Sequence, residues 1–380
     1  MTLFCRCLAV LALIASVPPS FAAPTPVPPP PEPAARSWIL IDEQSGRVIT
    51  SHDADARVEP ASLTKLMTAY AVFHAIEDGK LSLDAEVPIS ERAWRSEGSR
   101  TFLEVGTRAT VETLLQGMIV QSGNDASIAL AEAVAGTEPT FASIMNQYAV
   151  RLGMKNSHFL NSTGLPADGH LVTARDMALL ARAIIDEFPD HYRWYSQREF
   201  TWNNITQGNR NGLLDQDPSV DGMKTGHTDA AGYCLVSSAH RDGMRLIAVV
   251  MGADSVKARE DASLALLNYG FSFFETRRLH PRGAELARPR VYLAEDGAAP
   301  VGLRQEFYAT VPRGRADEIE VAVTTEPGLS APLASTQPVG RVRATLDGRL
   351  VAVADLYPLA EVPEGGFVRR SWDTVMRWFD

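Results

Sequence analysis

Hydrophobic residues recur with a helical period along much of the chain up to about residue 275. Residues 62–76 are apolar on almost every side, which predicts a buried helix, and Gly79 follows its end. The same period predicts further helices at 111–120, 125–135, 141–152, 177–188 and 257–275.

The period changes to the alternation of strands in two places before residue 275. One predicted hairpin joins residues 38–41 to 47–49 through a turn at Ser45-Gly46, and the second joins 234–239 to 244–251. Helices around a mostly antiparallel sheet predict an α/β or α+β domain, which we assign to residues 37–280.

The character of the chain shifts beyond Pro281 to short alternating segments broken by Gly and Pro. Such segments predict a small all-β sandwich domain over residues 281–362. The predicted strands are 291–293, 306–311, 319–323 and 350–353.

The two ends of the chain have compositions of their own. Residues 1–22 have one arginine, an apolar run too short to span a bilayer and small residues at the end, which predicts a secretory signal peptide, with an uncleaved anchor as the alternative. Residues 23–36 are rich in proline and predict an extended spacer that cannot pack.

Residues 363–380 predict an amphipathic helix with Trp372 on its apolar stripe. This helix lies on a membrane surface or else packs on the β domain.

The overall composition excludes some classes of binding partner and cofactor. The chain has 380 residues, 45% of them hydrophobic, and a net charge of −10, which argues against nucleic acid because phosphate binding needs clustered cations. Removal of the signal peptide would leave Cys234 as the remaining cysteine, so no internal disulfide is expected. We predict no cofactor and no metal, because no His or Cys cluster has ligand spacing.

Lysine is scarce in this sequence, and two of its five lysines fall in motifs. Ser62 and Lys65 are three residues apart at the start of the buried helix, so their side chains lie on one face and can meet. A serine becomes a nucleophile when a neighbouring base takes its proton, and burial can make a lysine that base. The alternative is a helix-capping serine with an unrelated lysine.

Two further segments carry polar groups that could join this pair. Ser122 and Asn124 lie between two predicted helices, where they are either an ordinary turn or a loop presenting a hydroxyl and an amide. Lys224, Thr225 and Gly226 follow one another in the strand region and are either an ordinary exposed strand or an edge that binds a peptide with its carboxylate.

Taken together, the three motifs resemble a known set. Ser-x-x-Lys, Ser-x-Asn and Lys-Thr-Gly in this order are typical of serine β-lactamases and penicillin-binding proteins. The segments around Ser62, Ser122 and Lys224 resemble those of the low-molecular-mass penicillin-binding proteins that are D-alanyl-D-alanine carboxypeptidases, and the resemblance runs from about Trp38 to the C-terminus. Gly123 departs from the aspartate usual in the middle motif, a variant associated with the carboxypeptidase branch.

The resemblance implies a role for each matching residue. Ser62 is acylated with Lys65 as its base, Ser122 relays protons, and Asn124 holds the substrate amide. The backbone amides of Ser62 and His227 form the oxyanion hole, and Lys224 helps to keep Lys65 neutral. The residues implied in substrate binding are Asn124, Lys224, Thr225, Gly226, His227, Arg210 and Arg259.

The expected function is therefore removal of the terminal D-alanine from peptidoglycan stem peptides, with β-lactams as inhibitors. The expected location is the periplasmic face of the cytoplasmic membrane, bound peripherally by the C-terminal helix. The same fold also suits an endopeptidase, a transpeptidase or a β-lactamase, although residues 161–176 lack the glutamate that class A lactamases use for deacylation. A penicillin-recognising scaffold that binds the wall without turnover is the alternative outside catalysis.

Overall fold

The computed structural model describes residues 26–366. The predicted signal peptide at 1–22 and nearly all of the predicted amphipathic helix at 363–380 lie outside these residues. Within 26–366, no helix combines the length and the apolar character that crossing a membrane requires.

The helices form where apolar side chains can be buried, and every predicted helix is confirmed with small shifts at its ends. The longest buried stretch follows Ser62, and its residues from Leu66 to Ala75 are almost completely buried. One-turn helices carry no recognisable period and were not predicted. In the described residues the helices are α1 (Thr64–Glu77), α2 (Glu91–Trp94), α3 (Val111–Val120), α4 (Asn124–Ala135), α5 (Glu138–Arg151), α6 (Ala174–Glu187), α7 (Pro189–Tyr192), α8 (Leu213–Gln216) and α9 (Val256–Phe273).

A five-stranded antiparallel sheet forms the centre of the first unit, in the order β2-β1-β9-β8-β7. Side chains of β1 alternate between two cores, with Ile39 in the core on one face and Leu40 in the core on the other. Helix α6 contacts the sheet at β9 and β1, and α9 contacts it at β9 and β8. The five strands are β1 (Ser37–Asp42), β2 (Val48–His52), β7 (Val220–Thr228), β8 (Gly232–Arg241) and β9 (Met244–Ala253).

Both predicted hairpins of this sheet are confirmed, and they place β7 at its edge. The edge strand contacts the 3-10 turn Ala61–Leu63 that leads into α1. The sheet edge and the beginning of the buried helix therefore meet, as a cleft between them requires. Smaller pairs complete the first unit: β3 (Glu86–Pro88) with β4 (Arg108–Thr110), and β5 (Glu199–Trp202) with β6 (Ile205–Gly208).

The remaining strands form the all-β unit. A five-stranded sheet has the order β11-β12-β16-β15-β14, and β10 pairs with β13. Residues 291–293 were predicted as a strand, which is wrong, because Tyr292 makes only an isolated bridge to Ser330. These strands are β10 (Phe274–His280), β11 (Glu285–Ala287), β12 (Val301–Gly302), β13 (Phe307–Pro312), β14 (Glu320–Thr325), β15 (Gly340–Leu346) and β16 (Arg349–Pro358).

The described part of the proline-rich segment, residues 26–36, packs against helix α9, so the prediction that the segment cannot pack is wrong for these residues. The hydroxyl of Tyr269 on α9 donates a hydrogen bond to the carbonyl of Pro28 at 2.9 Å. Pro31 and Pro33 line a small hollow together with Ala258 and Ala262 of the same helix. Extended polyproline geometry leaves its carbonyls free to accept hydrogen bonds, and small helix residues leave room for the rings.

Candidate active site

Ser62 lies in the 3-10 turn that leads into α1, and Lys65 lies in the first turn of that helix. The Lys65 Nζ atom donates to Ser62 Oγ at 2.9 Å and to the Thr163 carbonyl at 2.7 Å. Lys65 is only 1% exposed, although its amine has no carboxylate as a hydrogen-bond partner among the described residues. The three-residue spacing thus brings an amine onto the hydroxyl.

Burial makes Lys65 a candidate base near neutral pH. Loss of solvation lowers its pKa to about 7, with Asp125 opposing the shift and Arg210 adding to it. Burial also lowers the pKa of Lys224, and the charges of Lys65, Arg210 and Arg259 lower it further. Repulsion between two ammonium groups acts on both of them, so the role of Lys224 in keeping Lys65 neutral stays a prediction.

The second motif forms the loop between α3 and α4. Ser122 is buried with a positive φ of 68°, and its Oγ accepts a hydrogen bond from Lys224 Nζ at 2.9 Å. At position 123 an added Cβ would lie 2.0 Å from Thr101 Oγ1 and 2.8 Å from an Asp125 carboxylate oxygen. Glycine at this position, in place of the aspartate usual in the middle motif, therefore has a steric cause.

Asn124 begins α4 and is tied to the loop that precedes α3. Its backbone N donates to the Ser99 carbonyl at 2.7 Å, and its Nδ2 donates to the Glu97 carbonyl at 2.6 Å. Its Oδ1 is buried and accepts no hydrogen bond from any described residue. The side chain is thus held in place with one acceptor left for a ligand N–H.

Asp125 fixes the same loop and was not predicted as a site residue. Its carboxylate accepts from the backbone N of Thr101 at 2.8 Å and of Leu103 at 3.1 Å. The residue is 1% exposed. A carboxylate at a position that faces the core was the signal that could have revealed it, since such a group needs partners.

A cavity of about 240 Å³ joins the motifs. On its β7 side, an added Cβ at Gly226 would lie 3.1 Å from the Pro60 carbonyl and 3.2 Å from Ser62 N, so the strand approaches the turn as closely as glycine allows. Among the described residues, those that line the cavity are Ser62, Ser99, Ser122, Arg210, Thr225, Gly226, His227, Tyr233, Val256 and Arg259.

Two arginines in the wall of the cavity give it positive charge. Arg259 is 5% exposed, and its guanidinium donates to the Gly226 carbonyl at 3.4 Å while lying 5.8 Å from the Tyr233 ring centroid. Its Nε is buried without a partner among the described residues. Arg210 is exposed on the cavity wall, and His227 packs on Tyr233 with centroids 4.1 Å apart. Cationic groups in this position can bind a carboxylate.

The structure brings together all the residues that the sequence singled out. Seven of them line the cavity, and Lys65, Lys224 and Asn124 are buried beside it. Sequence reasoning missed the Thr163 carbonyl, because a backbone group leaves no mark on residue type. It also left Cys234 without a role, and burial raises the pKa of this thiol to about 11, which makes it an unreactive core residue.

Comparison with known proteins agrees with this geometry. Residues 24–255 match the family described as D-alanyl-D-alanine carboxypeptidase, and residues 274–364 match the C-terminal domain of penicillin-binding protein 5. The chain is 42% identical over 363 residues to D-alanyl-D-alanine carboxypeptidase DacA of Escherichia coli K12, covering 93% of this chain and 90% of that one. It is 43% identical over 357 residues to DacC of the same organism, covering 91% and 89%.

Solved structures give the same assignment. Penicillin-binding protein 5 of Haemophilus influenzae superimposes with a TM-score of 0.82 at 41% identity, covering 88% of this chain and 99% of that one. Penicillin-binding protein D2 of Listeria monocytogenes in its ampicillin-bound form superimposes with a TM-score of 0.59 at 29% identity, covering 64% and 100%. The chain therefore belongs to the D-alanyl-D-alanine carboxypeptidase family of low-molecular-mass penicillin-binding proteins.

Proposed function

We propose that this protein removes the terminal D-alanine from peptidoglycan stem peptides through an acyl-enzyme at Ser62, and that β-lactams acylate the same serine. The observation that carries the proposal is the pair of lysine contacts, Lys65 to Ser62 and Lys224 to Ser122, on hydroxyls that line one cavity. Family membership supports the reaction, and the cavity supports the residues assigned to it.

In the acylation step, neutral Lys65 takes the proton of Ser62 while Ser62 Oγ attacks the carbonyl carbon of the penultimate D-alanine. The backbone N–H groups of Ser62 and His227 would stabilise the developing oxyanion, and the close approach at Gly226 supports this. Ser122 then donates its proton to the nitrogen of the departing D-alanine and receives in return the proton that Lys65 had taken, which leaves Lys65 neutral again. The C–N bond breaks, and an ester on Ser62 remains.

Substrate binding in this proposal uses the other polar groups of the cavity. The terminal carboxylate is bound by the hydroxyl of Thr225 and by N–H groups of Lys224, Arg210 and Arg259. The free Oδ1 of Asn124 accepts an N–H of the bound peptide. A ligand with a carboxylate at one end and an amide N–H near the scissile bond satisfies both groups, and a D-alanyl-D-alanine terminus has this form.

In the deacylation step, water hydrolyses the ester and frees the shortened peptide. The contacts made by residues 161–176 favour a carboxypeptidase over an efficient β-lactamase. The Thr163 carbonyl of this segment accepts a hydrogen bond from Lys65, while the carboxylate of Asp176 accepts from Asn156 N at 3.0 Å and from Ser157 Oγ at 2.7 Å. Asp176 is thus engaged elsewhere, Asp168 is exposed, and neither carboxylate hydrogen-bonds to Lys65 among the described residues, which supports slow hydrolysis of a β-lactam ester.

Domain organisation and location are part of the same proposal. Strand β10 pairs with β13, which supports a boundary of the catalytic domain just before Phe274, at the end of α9, in place of the predicted boundary after 280. A cleaved signal peptide at 1–22 and a membrane-surface helix at 363–380 would place the enzyme at the periplasmic face of the cytoplasmic membrane.

The experiment is incubation of the purified protein with a stem pentapeptide and analysis of the product by mass spectrometry. The proposal expects a tetrapeptide and free D-alanine, and no product from the Ser62→Ala variant. A cross-linked peptide dimer tests the endopeptidase alternative in the same assay. Covalent penicillin labelling without D-alanine release would instead favour the scaffold that binds without turnover.

A further inference from the structure

A buried carboxylate outside the cavity contacts the loop that faces Lys65. Glu138 begins α5 and is 4% exposed. One of its oxygens accepts from both the backbone N and the Oγ of Ser162, at 3.0 and 2.8 Å. The other oxygen pairs with Arg92 of α2. The proposed chemistry gives this carboxylate no part, although burying it is costly.

The loop held by Glu138 is also clamped to the buried helix α1. The Ser162 carbonyl accepts from Thr68 Oγ1 at 2.7 Å, and the Thr163 carbonyl accepts from Lys65 Nζ at the same distance. Gly164 follows with a φ of 84°, and an added Cβ there would lie 1.8 Å from the Ala61 carbonyl. The loop therefore cannot move by a few tenths of an ångström without changing the contact of Lys65.

The Thr163 carbonyl controls the direction of the Lys65 lone pair. A neutral amine has two N–H groups and one lone pair. When one N–H donates to a carbonyl, which can only accept, rotation of the amine is restricted and the lone pair can face Ser62 Oγ at 2.9 Å. Without that carbonyl the amine has other rotations in which an N–H faces the serine and proton transfer is not possible.

We propose that Glu138 is a positioning residue for the general base: through Ser162, its carboxylate holds the Thr163 carbonyl in the place that orients Lys65. Burial alone would raise the pKa of Glu138, but hydrogen bonds from Arg92 and Ser162 outweigh it and the pKa is lowered, so the carboxylate is ionised at neutral pH. The charge of Glu138 also acts on His170, whose pKa burial lowers to about 4 while Glu138 opposes that shift. The inference rests on the proposed function of Lys65 as base.

The test compares Glu138→Ala with Glu138→Gln, which keeps one carbonyl oxygen for Ser162. Glu112→Ala is the matched control, because Glu112 is also a first-turn acid of a helix but is exposed. For Glu138→Ala we expect kcat for D-alanine release to fall about 10- to 100-fold, with KM within about twofold of wild type. The Gln variant should recover most of the loss, and Glu112→Ala should match wild type.

The pH profile of kcat distinguishes a misoriented Lys65 amine from a change in the pKa of Lys65. The charges of Asp125 and Arg210 also act on that pKa. We expect kcat of Glu138→Ala to level off at high pH at a lower value than kcat of wild type, when both rates are divided by the number of molecules that a penicillin can label. If the two plateaus are equal, or if the difference disappears after division by the labelled fraction, the inference is wrong. If Glu138→Ala does not fold, Ser162→Ala, which removes only the Oγ contact, replaces it. An inactive wild type would contradict the proposed function instead, so the two failures are distinguishable.

Discussion

The pH dependence of acylation tests the assignment of Lys65 as base. The perturbation is a change of pH from 6 to 8 with a penicillin at saturating concentration. Burial lowers the pKa of Lys65 to about 7. Only the neutral amine can accept the proton of Ser62, so the rate should rise with pH through this value and then level off.

The magnitude follows from the neutral fraction. With a pKa of about 7, the neutral amine makes up roughly 9% of Lys65 at pH 6 and roughly 91% at pH 8, so the first-order acylation rate should rise about tenfold. A lysine with an ordinary pKa of about 10.4 would instead give a rate that still increases about tenfold per pH unit above pH 8. The two cases differ in shape, so absolute rates are not needed.

The assay is stopped-flow or quenched labelling with a fluorescent penicillin at pH 5.5 to 9.5. Lys65→Arg keeps a cation that stays protonated, and should reduce the rate by roughly 10²- to 10⁴-fold at every pH. Lys257→Arg is the matched control, because Lys257 is exposed and pairs with Asp261, and it should leave the profile unchanged. A flat profile, or one that rises beyond pH 9, would refute Lys65 as a base with a pKa near 7.

Three further predictions follow from the cleft and the tail. Ser122→Ala removes the hydroxyl that accepts from Lys224 Nζ and leaves its contact with the Thr225 carbonyl, and labelling by penicillin should slow by roughly 10²- to 10⁴-fold in a protein of unchanged circular dichroism. Gly226→Ala places a Cβ against Pro60 and Ser62, so kcat should fall by roughly 10²- to 10³-fold, whereas Gly208→Ala, where nothing lies within 4 Å, should have no effect on D-alanine release. Truncation after Pro363 should leave the protein in the soluble fraction on sedimentation with vesicles, with full activity on a soluble peptide; continued sedimentation would contradict the tail as anchor.

Much of the fold could be predicted because burial leaves periodic patterns. Residues 62–76 are apolar on almost every side, and α1 is indeed enclosed by the core. The alternation of residues 234–239 and 244–251 predicted the hairpin of β8 and β9. The strand predicted at 291–293 failed because a three-residue alternation is too short to distinguish a strand from an irregular segment of the small core.

The side chains of the site could be predicted, and the groups that hold them could not. Lys65 was conspicuous because a lysine in an apolar helix conflicts with burial, and Lys224 was conspicuous because it begins the Lys-Thr-Gly motif. The Thr163 carbonyl and the buried anchors Asp125 and Glu138 depend on which loops meet in space. The packing of residues 26–36 on α9 was missed for the same reason, since proline content indicates extended geometry and says nothing about a neighbouring surface.

The most direct test of the account is the site of covalent attachment. The protein is mixed with benzylpenicillin, quenched in acid, digested and analysed by tandem mass spectrometry. We expect one adduct per molecule on Ser62, and none in Ser62→Ala at equal protein concentration and reaction time. An adduct on Ser122 or on any other residue, or undiminished labelling of the variant, would contradict Ser62 as the nucleophile.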